Sequence, residues 1–323
     1  MQTACYSVPG AAKDVLRVLE RPKPIPQQSE VLVRVHASGV NPSDVKLRKA
    51  GPLPFPEMIP HSDGAGVIEA VGAGVDPQRV GERVWLWNTA WKRANGTAAE
   101  YVALPSRQAV RLPDDSSFEV GACLGIPALT AYRAVHFSGD VRGTTILVAG
   151  GAGAVGHYAC QMAAAAGATV IATVSSDEKA AQAIEAGAAH VVNYKKESIA
   201  DRVREITRGI GVDRVLEVDL AANASGYTTY LRRNGQVVIY GSGDWTAKLP
   251  QRDWLVHGLT ASFFIVYELS DEVRTRAIAD ITEWLEQGRL VHRIAARFAL
   301  SEIALAHEAV EGGQIIGNVV VVP

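Results

Sequence analysis

Cysteine is scarce in this chain: Cys5, Cys123 and Cys160 are the only three in 323 residues, far apart and without CxxC spacing. That excludes a disulfide framework and a structural zinc site built from cysteine pairs, and points to a reduced, intracellular protein. An excess of either charge is also missing. Lys and Arg number 32 against 34 Asp and Glu, for a formal net charge of -2. Because the basic residues are scattered among acids, nucleic acid is an unlikely partner. No apolar run reaches the length needed to span a bilayer, and the opening MQTACYSVPGAAKDVLRVLERPKP has no basic stretch leading into one. The expectation is a cytoplasmic protein with no export signal and no membrane partner.

What the chain does have is length and apolar content. Its 323 residues, 48% of them hydrophobic, are enough for two domains. Val31–Val40, VLVRVHASGV, alternates apolar and polar residues with the period of a half-buried strand. Further strands are expected at Gly66–Val71 and Arg83–Leu86, separated by loops such as GPLPFPEMIP. The first third therefore reads as an irregular β domain.

Past GACLGIPALTAYRAV, which reads as a helix, the pattern changes. The apolar run Thr145–Ala149 suits a parallel strand covered on both faces. Helix-like HYACQMAAAAG, the run Thr169–Val174, SDEKAAQAIEAGA, HVVNY, SIADRVREITRG, DRVLEVD and GQVVIYGS then alternate. Strands alternating with helices of this length predict βαβ units and a doubly wound parallel sheet. Beyond Ser270 come an amphipathic helix, a short helix SEIALAHEAVEGG and a terminal strand, Asn318–Val322, which most simply returns to the β domain. The predicted division is 1–124 with 270–323, and 125–269.

The strand TILVA runs into Gly151-x-Gly153-x-x-Gly156 and then into an alanine-rich helix, the context in which this spacing reads as a dinucleotide fingerprint. Gly151 is expected to make the sharp turn, Gly153 to let backbone approach a pyrophosphate, and Gly156 to let the helix pack close to the strand. The helix amino terminus would face the phosphates. An NAD site would place an acid at the tip of the next strand, but VIATV ends in Ser175 and Ser176, with Asp177 and Lys179 following. Two hydroxyls and a lysine suit a 2′-phosphate, so NADPH is the expected cofactor. A second reading stays open, in which Ser176 or Asp177 only caps a helix and Lys179 is solvated.

Zinc alcohol dehydrogenases share this two-domain plan, with a cysteine opening one catalytic motif and a His-Glu pair in another. Here the first place reads Gly39-Val40-Asn41-Pro42-Ser43-Asp44 and the second Pro60-His61-Ser62-Asp63-Gly64-Ala65-Gly66. Asn41 stands for the thiolate, Ser62 for the histidine, and His61 is one position out of register. The four-cysteine lobe is absent too, because WLWNTAWKRANG leads to TAAEYV without a cysteine. No metal is expected. Without a Lewis acid, an acceptor that takes hydride readily is favoured, a quinone or an activated alkene.

The stretches HASGVNPSD, SDGAGVIEAVGAGV, GERVW, AAEYV, GIPALTAYRAV, AGGAGAVG, GAAHVVNY, NGQVVIYGS and GNVVV, in this order, resemble the zeta-crystallin type of quinone oxidoreductase over nearly the whole chain. The resemblance implies a GroES-like β-rich catalytic domain beside a Rossmann domain, NADPH, a quinone or other electron-poor small molecule, and a homodimer or homotetramer. It also implies that Ala152, Gly153, Ala154, Val155 and Gly156 touch the pyrophosphate, and that Ser175, Lys179 and Tyr194 surround the adenosine ribose and its 2′-phosphate. Asn223, Gly241, Ser242, Phe264 and Ile265 would line the nicotinamide side, with Asn41 and Thr130 close to it. Tyr194 as a core tyrosine and Asn41 as a buried turn residue are equally open.

The family often has tyrosine in the pattern NPxxxY, where this chain has Lys46, and often lysine near Asn318. Asn41, Lys46, Trp87, Trp91 and Thr130 are the candidate substrate-pocket residues, with the tryptophans also readable as core cover. No Ser/His/Asp or paired-carboxylate arrangement stands out, so no catalytic acid is assigned and water is the expected proton source. Two other functions fit the same resemblance: reduction of the carbon–carbon double bond of enones or alkenals, and a non-enzymatic NADPH- and RNA-binding role.

Overall fold

The computed structural model describes residues 1–323 and divides into two compact units, Met1–Pro127 with Ile278–Pro323, and Ala128–Ala277. In the first unit β1 (Gln2–Cys5) and β2 (Arg17–Glu20) form an antiparallel pair. They are followed by β3 (Glu30–Val40), β4 (Asp63–Val71), β5 (Arg83–Leu86), β6 (Tyr101–Pro105) and β7 (Ala109–Arg111). The alternation in β3 buries Val31, Val33 and Val35 against Ile68, Val84, Leu86, Val102 and Leu104.

β4 begins three residues before its expected start. Gly64 and Gly66 lie inside it because neither has room for a side chain: a Cβ on Gly66 would stand 1.9 Å from the Arg34 carbonyl oxygen of β3, and one on Gly64 2.7 Å from the Thr97 side chain. The β3–β4 register also shifts between Val35 and Ala37, which is bulge geometry and hides the period in the sequence. A helix that periodicity did not reveal, Pro42–Ala50, starts from Asn41 with Pro42 in its first turn and Asp44 at its third position. Proline there gives up no hydrogen bond, and the acid reaches back to an otherwise unpaired N–H.

The second unit carries β8 (Thr145–Val148), β9 (Thr169–Val174), β10 (His190–Asn193), β11 (Val212–Glu217), β12 (Leu231–Ile239) and β13 (Thr260–Phe263). They form a parallel sheet in the order β10-β9-β8-β11-β12-β13. One face buries Leu147, Ile171, Val192, Val215, Val237 and Ile239 against Tyr227 and Trp254. The order reverses between β8 and β11, and ligands of such sheets sit beyond the carboxyl ends of the strands at that reversal.

β14 (Ile294–Ala299) and β15 (Asn318–Val322) return to the first unit, where the sheet runs β14-β15-β3-β4-β5-β7 with β6 on β3. β15 pairs antiparallel with β3, Val320 opposite Gly39. Asn318 is buried, and its Nδ2 donates to the Arg293 carbonyl at 3.2 Å.

The contact-based divisions fall after Pro127 and Ala277, a few residues beyond the expected 124 and 269. No loop marks either place. A widened turn, Leu124–Ala128 with Pro127 inside it, runs straight into the helix Leu129–Val135, and the helix Asp271–Glu286 belongs partly to each unit. No helix is long and apolar enough to cross a membrane.

Candidate cofactor and acceptor sites

In the second unit β8 ends at Val148 and the helix Ala154–Ala165 begins after Gly153, its N-cap. The positive φ that the turn needs falls on Gly150, at 67°, not on Gly151. Gly151 is required for a different reason: a Cβ there would lie 2.5 Å from the Cβ of Ala172 on β9. Gly156 seats the helix against the turn, its missing Cβ 2.2 Å from the Gly150 carbonyl oxygen, whereas at Gly153 the nearest atom is that same oxygen at 3.3 Å. Gly153 is thus the glycine the fold needs least. Ala152 is buried, while Ala154 and Val155 are half-buried in the first turn of the helix. Backbone N–H groups at this terminus form a cradle that fits an anionic pyrophosphate.

Beside it, β9 ends in Ser175 and Ser176, both half-buried. The Ser176 hydroxyl oxygen accepts from the Lys179 N–H at 3.2 Å and caps the helix Asp177–Glu185, leaving its own O–H to donate. Lys179 is half-buried in the first turn. The Asp177 carboxylate is gripped by Lys196 Nζ at 2.8 and 2.7 Å, which holds it below the usual carboxylate range. Tyr194 follows β10, its N–H donating to the Val174 carbonyl at 3.1 Å, and its side chain is 51% exposed instead of in the core.

At the tips of the other strands, Glu217 ends β11 with 1% exposure. Its carboxylate accepts from the Tyr227 hydroxyl at 2.6 Å, the Asp219 N–H at 2.6 Å and Asn223 Nδ2 at 3.0 Å. Burial raises its pKa, and those three donors oppose the shift. Asn223 is therefore committed on one side to an internal acid. Gly241 passes so close to β11 that a Cβ would lie 2.4 Å from the Val218 carbonyl oxygen, and the buried Ser242 hydroxyl donates to the Asp244 carbonyl. The Phe264 ring lies tilted against Phe137 and Tyr240, centroids 6.0 and 6.3 Å away, while Ile265 is 46% exposed. Thr130 is buried on the helix Leu129–Val135 of this unit.

In the first unit Asn41 is buried between two carboxylates. Its N–H donates to Asp44 Oδ2 at 2.8 Å and its Nδ2 to Asp63 Oδ2 at 2.9 Å. The same Asp63 oxygen accepts from the Ile126 N–H at 3.0 Å, while Oδ1 is buried without a partner. Burial pushes Asp44 up to about 7 and Asp63 well above the carboxylate range, with each other's charge adding to the rise at Asp63. Since Oδ2 accepts twice, a proton on Asp63 belongs on Oδ1. Lys46 is exposed on the helix Pro42–Ala50, Trp87 is buried, and Trp91 is half-buried with Lys92 Nζ 5.6 Å from its ring centre.

His61, next to this group, belongs to a buried chain whose direction the partners fix. Arg48 Nε donates to His307 Nδ1 at 3.4 Å, so His307 carries its proton on Nε2 and donates to His61 Nε2 at 3.0 Å. His61 Nδ1 then donates to the Ser38 hydroxyl at 2.8 Å, Ser38 to Thr97 at 2.7 Å, and Thr97 to the Asp63 carbonyl. Both imidazoles are neutral: burial lowers His61 well below its ordinary value and His307 to about 3. With both ring nitrogens of His61 occupied and an amide in place of a thiolate, this donor set does not fit zinc, and no three His, Cys, Asp or Glu residues converge as a metal site.

Two family models match the chain, Alcohol dehydrogenase GroES-like domain over residues 27–114 and Zinc-binding dehydrogenase over 154–283. The human quinone oxidoreductase is 32% identical over 293 residues, which cover 90% of this chain and 88% of that protein. The chain belongs to the zeta-crystallin-like quinone oxidoreductase family of the medium-chain dehydrogenases/reductases.

Among solved structures of this superfamily, Escherichia coli quinone oxidoreductase complexed with NADPH superposes with a TM-score of 0.90 at 26% identity, covering 100% of both chains. An NAD-dependent alcohol dehydrogenase does so at 0.91 and 28%, also covering 100% of both. The fold is thus common to an enzyme complexed with NADPH and to an NAD-dependent one.

Relative to the family's motifs, sequence reading missed Glu217, the double grip on Asn41 and the His61–His307 chain. Asn41-Pro42-x-Asp44 was a visible capping signal. Nothing in the local sequence links His61 to His307, which lie 246 residues apart.

Proposed function

We propose that this member of the family is an NADPH-dependent quinone reductase that acts in the cytoplasm as a homodimer or homotetramer. The observation that carries the reading is the glycine cradle at the sheet reversal, flanked at the next strand tip by Ser175, Ser176 and Lys179 instead of a free acid. Bound there, NADPH supplies the hydride, and a quinone is an acceptor that needs no Lewis acid to take it. The chain's own contribution is positioning: Ala152–Gly156 hold the pyrophosphate, the hydroxyls, Lys179 and Tyr194 hold the 2′-phosphate end, and Asn223, Gly241, Ser242, Phe264, Ile265 and Thr130 the nicotinamide end. Asn41, Lys46, Trp87 and Trp91 form the acceptor side. Asp63 fixes the Asn41 amide, because an acceptor oxygen at that position admits only Nδ2. The proton that accompanies the hydride comes from water.

Self-association is supported by β13, an edge strand beside which Leu255, Val256, Phe263 and Ile265 are 74, 54, 59 and 46% exposed. Light scattering reads it directly. Oxidation of NADPH and NADH with 1,4-benzoquinone or 9,10-phenanthrenequinone, in a chelator, tests the activity. Turnover preferring NADPH is expected; turnover of an enone but no quinone would replace the substrate, and failure to bind either nucleotide would overturn the reading.

A further inference from the structure

The tips of β9 and β10 present an acid where a 2′-phosphate would meet repulsion, and also the means of cancelling it. The two strands are parallel neighbours with Asn193 opposite Val174, so the residues that follow them, Ser175-Ser176-Asp177 and Tyr194-Lys195-Lys196, emerge side by side. Lys196 Nζ reaches both Asp177 oxygens, at 2.8 and 2.7 Å, and Asn193 Nδ2 lies 3.5 Å from one of them. Both partners are exposed, with side chains 63 and 79% accessible, and surface pairs of this kind add little to stability.

Their effect on a bound dianion is larger. A carboxylate beside a phosphate group repels it, and a carboxylate with free oxygens is what an NAD site uses to accept ribose hydroxyls. We infer that Lys196 determines cofactor specificity by masking Asp177, so that the acid neither repels a 2′-phosphate nor accepts a 2′-hydroxyl. This rests on the NADPH reading above. The other charges at this end are Glu178 and Lys179 on the helix, and Lys195 and Glu197 on the loop; Glu197 accepts from the Asn193 N–H at 3.0 Å.

Dissociation constants for NADPH and NADH, from nucleotide fluorescence at low ionic strength on the full-length protein, test this in a double-mutant cycle. Lys196→Ala is expected to weaken NADPH about fivefold and leave NADH unchanged or tighter, with the difference shrinking as salt is added. In Asp177→Asn/Lys196→Ala the NADPH affinity returns to within about twofold of wild type, because the charge to be masked is gone. If the double variant stays as weak as Lys196→Ala, Lys196 acts on the phosphate directly and the masking role is wrong. If wild type prefers NADPH and Lys196→Ala leaves the ratio of the two dissociation constants unchanged, this inference alone falls. A wild type that does not discriminate removes the cofactor reading itself. Both side chains are exposed, and unchanged melting temperatures show that each variant is folded.

Discussion

The two candidate sites are built from different materials. In the second unit the candidate nucleotide cradle is backbone: Gly150 bends the chain, Gly151 and Gly156 let strand and helix close on the turn, and Gly153 meets nothing nearer than the Gly150 carbonyl oxygen at 3.3 Å. In the first unit the site is side chains, with Asn41 held between Asp44 and Asp63 and backed by a buried chain from Arg48 to Thr97. A backbone site must show its constraints as glycine spacing, because only the missing Cβ makes the approach possible. A side-chain network obeys only the rule that buried polar groups find partners, and those partners come from anywhere in the chain.

The sharpest way to break the comparison is at the glycines. Gly156→Val drives its Cβ into the Gly150 carbonyl, backbone that cannot retreat, so roughly 3 kcal/mol or more of stability and all nucleotide binding are expected to be lost. Gly153→Val meets only that oxygen at 3.3 Å; its melting temperature should stay near wild type while nucleotide binding weakens tenfold or more, about 1.4 kcal/mol. Thermal melts and titration of both variants separate a fold glycine from a ligand glycine.

The next largest effect concerns pH. His61 and His307 have folded values below the ordinary 6.5, about 3 for His307. Their contribution is intact above pH 6.5 and is lost as pH falls toward 3, at up to about 1.4 kcal/mol per pH unit for each ring. Asp44 and Asp63 are raised from 3.8, Asp44 to about 7, so their contribution is intact below 3.8 and is lost as pH rises toward 7. Between about pH 4 and 6.5 the two pairs oppose each other, and denaturant unfolding should give a nearly flat stability profile there. In His61→Leu/His307→Leu the carboxylates act alone: the fold is weaker overall, and it strengthens as pH drops through that window. A wild-type profile falling steeply with acid would mean that the carboxylates are ionised.

A smaller change separates Asp63 from the histidines. Asp63→Asn keeps an oxygen to accept from Asn41 and Ile126 and needs no proton, so its stability relative to wild type should rise with pH above 3.8, by up to about 1.4 kcal/mol per unit. The smallest effect is expected at Lys46, exposed on its helix. Lys46→Ala should stay within about 0.5 kcal/mol in stability and alter only the quinone KM.

The glycine turn, the parallel sheet and the returning terminal strand were legible because each leaves a local pattern: glycine spacing, apolar runs bounded by helices, an apolar end segment. The role of individual glycines was less so. Gly151 reads as the turn, yet Gly150 carries the positive φ and Gly151 faces Ala172, which only the neighbouring strand reveals. Ser176 illustrates the same limit, since the capping reading and the phosphate reading rest on one side chain, and only the folded chain shows that its oxygen accepts the capping bond. The bulged β3–β4 register and the short strands β6, β7 and β14 escaped notice because a shifted period and runs of three to six residues do not rise above loop composition.

By itself, then, the sequence determined the two-domain plan, the glycine-rich turn from strand to helix, the Asn41 and Ser62 that replace a thiolate and an imidazole, and the serine-rich tip of β9. Those are properties of residue type at fixed local spacing. Tertiary structure alone decided that Lys196 reaches back to Asp177, that Asp63 grips Asn41, and that His61 meets His307. Each needs segments far apart in the chain to be carried together by parallel pairing or by helix packing, and at Asp63, His61 and His307 burial then fixes the protonation.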